Sequence, residues 1–308
     1  MEFFLFVFLN VILPIFITIS SGYVLQYLFT LDMKTLAKIH LYLLMPSVLF
    51  INVYDSELSG GMVKSVIITI ASVMVLIYAI SYGIAKIRGY SRVERSIFIS
   101  TTTFFNGGNY SIPLMQTLYA NPIAVAIQAI ISVTETIMFF TLGVFTAGNS
   151  DGSFGKAIMR VLKMPFIYII LASIILKRLD IGIWNPIRQT LDLLSGSFSG
   201  IALVTLGAQL KETKLDFGNP RIYLSSFVKL LIAPVLAYVL TLILDIEGII
   251  AQVVVIAMGA PTAVKVVLTS IELGNDPEFA SQSVMISTIL SAITMTFVIW
   301  MAQLIIPL

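Results

Sequence analysis

Thr101-Thr102-Thr103-Phe104-Phe105-Asn106-Gly107-Gly108-Asn109-Tyr110-Ser111-Ile112-Pro113-Leu114 is the stretch on which the fold turns. It lies inside an apolar run, about 95–118, long enough to cross a bilayer. Gly107 and Gly108 weaken a helix there, because glycine loses the most backbone freedom on ordering. Pro113 removes an N–H donor and clashes with the turn before it. Backbone groups freed in lipid are costly, so a polar break of this kind persists only against protein or a wet cavity. A second break, Ala257-Met258-Gly259-Ala260-Pro261-Thr262-Ala263-Val264-Lys265, lies inside the run 248–272. Adding 153 to 106 gives Gly259, and adding it to 108 gives Pro261, so the two interruptions coincide within a repeat.

The rest of the chain fits a bilayer as its solvent. Of 308 residues, 58% are apolar and only 11% charged, against about 25% charged in soluble domains. Mean hydropathy is +1.00. Eighteen Lys and Arg with sixteen Asp and Glu cannot cover a soluble domain of this size. That excludes a soluble enzyme, a nucleic-acid binder and a disordered chain. The net charge of +2 points to no particular partner. With no cysteine and a single histidine, His40, thiolate chemistry and multi-histidine metal sites are excluded. The opening Met1-Glu2 lacks a basic segment, and the apolar stretch after it is too long for a signal peptide, so it reads as a first span.

Reading between charge clusters gives ten spans, about 3–29, 36–54, 62–86, 95–118, 122–147, 157–177, 187–210, 221–244, 248–272 and 279–306. The longest loop falls around Gly148–Gly155. Loops after odd-numbered spans carry 12 Lys and Arg and those on the other side carry 4, namely Lys64, Lys177, Arg178 and Arg188. The positive-inside rule then places the odd loops in the cytoplasm and both termini outside. The three cations after span 6 run against that assignment. Paired features recur at offsets of 151 to 155 residues: Leu13-Pro14 with Met164-Pro165, Asn121-Pro122 with Asp276-Pro277, Glu94 with Glu247. They predict two five-helix halves, 1–150 and 151–308. Five is odd, so the second half enters the membrane inverted, an arrangement typical of secondary transporters.

Paired broken spans are the best sequence pointer to a transport site. Half-helix N-termini offer N–H groups and a positive dipole end to an anion. Asn106, Asn109, Tyr110, Ser111 and Thr262 add donors and acceptors that could replace a solute's hydration shell. A pair of plain proline kinks is the structural alternative. Lys265 lies one helical turn past Pro261, and an ionisable residue at that depth is functional by default. It could bind a substrate carboxylate, act as a built-in cation or proton-coupling group, or pair with Glu135 in span 5. Glu135 could equally carry a proton, help hold Na⁺ or form a plain salt bridge. Lys229 in span 8 and Lys64 near span 3 are expected to snorkel to the interface. Asp192 is expected to be solvated, and His40 to be an ordinary polar residue. Gly196-Ser197-Phe198-Ser199-Gly200 has Phe where a serine hydrolase needs its nucleophile, and reads instead as a GxxxG packing face.

Asn106-Gly107-Gly108-Asn109-Tyr110-Ser111-Ile112-Pro113-Leu114 resembles the span-4 signature of the auxin efflux carrier family. Pro261-Thr262-Ala263-Val264, with Gly274-Asn275-Asp276 beyond it, and Leu44-Met45-Pro46-Ser47-Val48-Leu49-Phe50 are similar to that family's span-9 and span-2 patterns. The likeness covers the whole chain in span count and order, in the compact form of prokaryotic members often described as malate permeases. The fold is similar to that of bile acid:sodium symporters. The resemblance implies a scaffold of spans 1, 2, 6 and 7 and a transport subdomain of spans 3–5 and 8–10. It implies that broken spans 4 and 9 cross, and that an elevator-type movement alternates access. By position it places Asn106, Asn109, Pro113 and Pro261 at the crossover, and has Met45, Pro46 and Phe50 face it; Gly107, Gly108 and Gly259, at the breaks themselves, are counted with the substrate site. It also implies a homodimer. One departure is Lys265, where the pattern has a small or amide residue; it bears on substrate identity and on coupling to H⁺ or Na⁺.

The expectation is thus an all-α polytopic membrane protein that carries a small organic anion, auxin-like or a dicarboxylate such as malate. No cofactor is expected. A channel would need a continuous polar stripe, whereas the polar residues concentrate at the two breaks. An intramembrane enzyme would need a catalytic constellation, and the sequence has no Ser/His pair, Asp dyad or Walker A motif. A non-transporting receptor for a small organic acid is the other alternative.

Overall fold

The structure, a computed structural model, describes residues 2–119, 121–143, 159, 162, 165–213, 218–272 and 274–308. The loop expected around Gly148–Gly155 lies outside the described residues, as do Lys156, Arg160, Lys163 and Lys214. In chain order the helices are α1 (Glu2–Phe29), α2 (Met33–Asp55), α3 (Gly60–Ile87), α4 (Arg92–Thr103), α5 (Ile112–Leu118), α6 (Pro122–Gly143), α7 (Pro165–Arg178), α8 (Asn185–Lys211), α9 (Pro220–Ile243), α10 (Gly248–Met258), α11 (Lys265–Glu272) and α12 (Pro277–Ile305). Seven of them, α1, α2, α3, α6, α8, α9 and α12, are long and apolar enough to cross a membrane. Among the described residues there is no strand, only one isolated bridge. The protein is an all-helical, multi-pass membrane protein.

Helix starts follow from capping chemistry. Asp32, Ser59, Asn121, Asn219 and Asp276 each accept an N–H of the helix they open. Ser91 and Glu94 form a reciprocal capping box at the start of α4. Those hydrogen bonds from Ser91 hold the Glu94 carboxyl below the usual carboxylate range. Glu94 also pairs with Arg221, which ties α4 to α9. Prolines at the first turn of α6, α8, α9 and α12 cost nothing, because that N–H has no helical partner.

Interior prolines leave a different mark. Four widened π-helical turns, Phe8–Ile12, His40–Leu44, Gly107–Ser111 and Val228–Ile232, stand immediately before Leu13-Pro14, Met45-Pro46, Ile112-Pro113 and Ala233-Pro234. Leu13, Met45 and Ala233 donate their N–H to the carbonyl five residues back, of Phe8, His40 and Val228. The wider turn absorbs the proline's missing donor and ring clash without ending the helix.

Helices α1, α2, α7 and α8 pack on one another, and α3, α4, α5, α6, α9, α10, α11 and α12 form a second set of contacts. The sets meet where α2 touches α6, where α1 touches α12, and where α8 touches α5 and the Gly107–Ser111 turn. The tightest crossing is α1 on α8. A Cβ on Gly22 would lie 2.0 Å from the Val204 carbonyl oxygen, and one on Gly207 would lie 1.8 Å from that of Ile19. This corrects the expected GxxxG face, since a Cβ on Gly196 or Gly200 would meet nothing within 4 Å. Two of the three contrary cations after span 6 find partners. Lys177 donates to the Ser56 carbonyl. Arg188 forms a fork on Asp55 at 2.9 and 2.7 Å and reaches Asp192 at 3.0 Å. Asp192 is therefore paired rather than simply solvated.

Candidate functional site

The two breaks meet. Past α4 the chain extends at Phe104, and past α10 it extends through Pro261. Phe105 and Thr262 pair antiparallel. Asn106 N–H donates to the Pro261 carbonyl at 2.8 Å, and Ala263 N–H to the Phe104 carbonyl at 3.1 Å. Backbone groups freed by one break are thus satisfied by the other, as the absence of water in a bilayer demands. Side chains lock the crossing. Thr262 donates through Oγ1 to the Thr101 carbonyl at 2.8 Å, and its N–H donates to Ser287 Oγ at 3.1 Å. Gln128 and Ser132 of α6 both donate to the Gly107 carbonyl, at 3.2 and 3.1 Å.

A cavity of about 320 Å³ opens beside this crossing. Asn106, Gly107, Gly108, Asn109, Lys265, Glu135 and Met45 all line it. Tyr110, Ser111, Pro113, Gly259, Pro261, Thr262, Pro46 and Phe50 do not. Tyr110 is buried and accepts from Ser291 of α12, and Ser111 donates back to the Asn106 carbonyl. Pro113 opens α5, and Gly259 packs against Val298. Phe50 stacks on Tyr54 at 6.0 Å. One freed N–H expected to face an anion is already used: Asn106 Oδ1 caps Asn109 N–H at 3.2 Å, leaving Asn106 Nδ2 buried without a partner.

Lys265 pairs with Glu135, lies 3.3 Å from Thr136 Oγ1 and stands 4.9 Å from the centre of the Phe139 ring. Glu135 is 2% exposed at its side chain and Lys265 29%, so the carboxylate is the buried partner. Lys229 does not snorkel. It is fully buried, its Nζ 4.8 Å from the centre of the Phe105 ring at the crossing. Lys64 is exposed as expected.

Sequence reasoning missed the far wall. His40, Thr205 and Gln209 line the cavity from α2 and α8. The His40 ring lies 4.8 Å from that of Phe198 and interacts with the Asn109 side chain. Of the residues that line the cavity, His40 Nδ1, Asn106 Nδ2, Glu135 Oε1, Thr205 Oγ1 and Gln209 Oε1 are buried with no hydrogen-bond partner. Such atoms are uncommon in folded proteins, and their convergence marks a place built for a polar guest. The signal lay in spacing: Thr205 with Gln209, and Ser132 with Glu135 and Thr136, each share one helix face. A second cavity of about 600 Å³ shares Gln209, Val264 and Leu268 with the first. Met33, Thr213 and Pro277 line it too.

The sequence profile of a family described as membrane transport protein matches residues 7–299. The chain belongs to this family, the auxin efflux carriers. An uncharacterized transporter of Methanothermobacter thermautotrophicus is 26% identical over 293 residues, which are 92% of this chain and 95% of that protein. The protein is thus a membrane transporter rather than an enzyme.

Proposed function

We propose that this transporter is a secondary carrier that moves a small organic anion, auxin-like or a dicarboxylate such as malate, by alternating access. The substrate would sit in the cavity beside the crossing. One observation carries the reading: five unpartnered polar atoms and the Lys265 ammonium converge on a cavity of about 320 Å³ at the meeting of two broken helices. Lys265 and Asn106 Nδ2 suit a carboxylate, as charged and neutral donors. Counting the interrupted α4–α5 and α10–α11 and the shorter α7 as spans completes ten. The reciprocal bonds around Phe105 and Thr262, and the matching caps Asn121 and Asp276, support inverted halves 1–150 and 151–308. An elevator-type movement of the crossing against α1, α2, α7 and α8, both termini outside, and a homodimer belong to the same reading. Coupling to H⁺ or Na⁺ would run through Lys265 or Glu135.

The test is reconstitution in liposomes with solid-supported-membrane recording and uptake of labelled malate and indole-3-acetate, with and without Na⁺ and at several pH values. Saturable uptake that depends on Lys265 is expected. Wild-type protein that neither binds nor moves any carboxylate would overturn the organic-anion reading.

A further inference from the structure

The opposite charges at the cavity cancel. Among the described residues that line it, Lys265 is the one Lys or Arg and Glu135 the one Asp or Glu, and the two are paired. A substrate carboxylate that takes Lys265 therefore competes with Glu135. The Glu135 side chain is buried, and a buried charge whose partner is drawn away is costly. Binding is favourable only when the guest brings a partner for Glu135 as well. The unpartnered atoms say which kind. The Thr205 hydroxyl rotates, the His40 ring has two tautomers and the Gln209 amide can turn over, so each of these can donate or accept. Two atoms lack that freedom. Asn106 Oδ1 already accepts from Asn109 N–H, so the buried Nδ2 can only donate. Glu135 Oε2 takes the Lys265 ammonium, so the buried Oε1 is a bare acceptor. Thr136 Oγ1 lies 3.3 Å from Lys265 Nζ and makes no bond to Oε1. The cavity thus asks for an acceptor and a donor together. Because Lys265 and Glu135 touch, those two groups must stand side by side in the guest.

We propose that the substrate is a carboxylate with an O–H or N–H donor on the adjacent carbon, as in malate, and that Glu135 is the residue that selects it. The carboxylate takes Lys265, with Asn106 Nδ2 as a neutral donor at the same cavity, and the neighbouring hydroxyl or amine donates to Glu135. This rests on the organic-anion reading above and narrows it. Plain diacids such as succinate and aryl acetates such as indole-3-acetate lack the neighbouring donor. They reach Lys265 only by leaving Glu135 short of a partner, and so bind weakly.

The test is calorimetric titration of the purified full-length protein with malate, succinate, 2-fluorosuccinate, lactate, propionate and indole-3-acetate. Fluorine approximates a hydroxyl in size but cannot donate. A site built around a substrate donor rejects the analogue that lacks it, because its own buried group is left unpaired. Malate should therefore bind about tenfold or more tightly than succinate or 2-fluorosuccinate, the effect of one hydrogen bond to a charged group. Lactate should exceed propionate by a similar factor. Glu135→Met removes the acceptor and frees Lys265. The advantage of malate should then largely vanish, while succinate binds at least as tightly as to wild type. Glu135→Ala is the second variant should Glu135→Met fail to assemble, and the wild-type comparison needs neither. Succinate or indole-3-acetate that matches malate on wild type overturns the proposal and leaves the organic-anion reading standing. An undiminished advantage of malate in the Glu135 variant removes Glu135 as the selecting residue and overturns it equally. Wild-type protein that binds none of the six overturns both.

Discussion

Among the described residues, Lys265 is the one Lys or Arg that lines the cavity, and its side chain keeps 29% accessibility. A charge-assisted hydrogen bond to a substrate is worth about 1.5–3 kcal/mol. Lys265→Ala should therefore cut uptake about tenfold or more. The variant should still insert and fold, because Lys265 stands part-exposed at the cavity rather than in the packed core. Uptake in liposomes, with size-exclusion profiles of the variant, checks both halves; wild-type rates would remove Lys265 from the site. Thr205 allows a cleaner separation of function from stability. Its hydroxyl is buried and unpartnered in the cavity wall, and valine copies its shape. Removing a stranded polar group is neutral or stabilising by about 1 kcal/mol. Thr205→Val should thus melt at or above the wild-type temperature while KM for the carried anion rises. An unchanged KM would show that no ligand meets this hydroxyl.

At the scale of elements, helix crossings and prolines decide where these residues stand. His40, Asn109 and Lys229 all lie in π turns that precede an X-Pro pair. Each wide turn shifts its neighbours on the helix face; His40 and Asn109 come to line the cavity, while Lys229 comes to rest over the Phe105 ring. The crossing of α1 and α8 admits no side chain at Gly207. Gly207→Ala must push Ile19 and Tyr23 aside, so little monodisperse protein should be recovered. Gly196→Ala, about three turns earlier on the same helix, meets open space and should gain a few tenths of a kcal/mol to about 1 from helix propensity. Detergent-extracted yield and thermal unfolding of the two variants make the comparison. The breaks themselves were legible, because Gly107-Gly108, Pro113, Pro261 and Lys265 act through local backbone chemistry and spacing. The far wall was not, because which face of α8 meets α2 depends on the Gly22–Gly207 approach, a tertiary fact. Lys229 was misread for a related reason. It lies nine residues into α9, about 13 Å from the helix start, and the packing of Phe105 over it closes the route to water.

For the whole molecule, the two cavities define a direction. The larger one is lined by Met33, Thr213 and Pro277, all at connections after odd-numbered spans, the side that the proposed orientation places in the cytoplasm. On the other side of the cavity, Ser199 of α8 donates to Gln116 of α5. Ser199 is six residues from Thr205 toward the start of α8, about 9 Å along the axis. This contact joins α8 of one packed set to α5 of the other, so any movement between the sets must break it. If access alternates, the state with the cytoplasmic vestibule open is the state in which this contact is closed. The chain contains no cysteine, so Gln116→Cys with Ser199→Cys gives the only reactive thiols in the protein. A short, reversible methanethiosulfonate cross-linker should stop uptake almost completely and release it on reduction. A single cysteine at Thr213 should stay open to maleimide from the cytoplasmic side throughout. Cross-linked protein that still transports at the uncross-linked rate would show that α5 and α8 move together, and the moving boundary would then have to lie elsewhere in the fold.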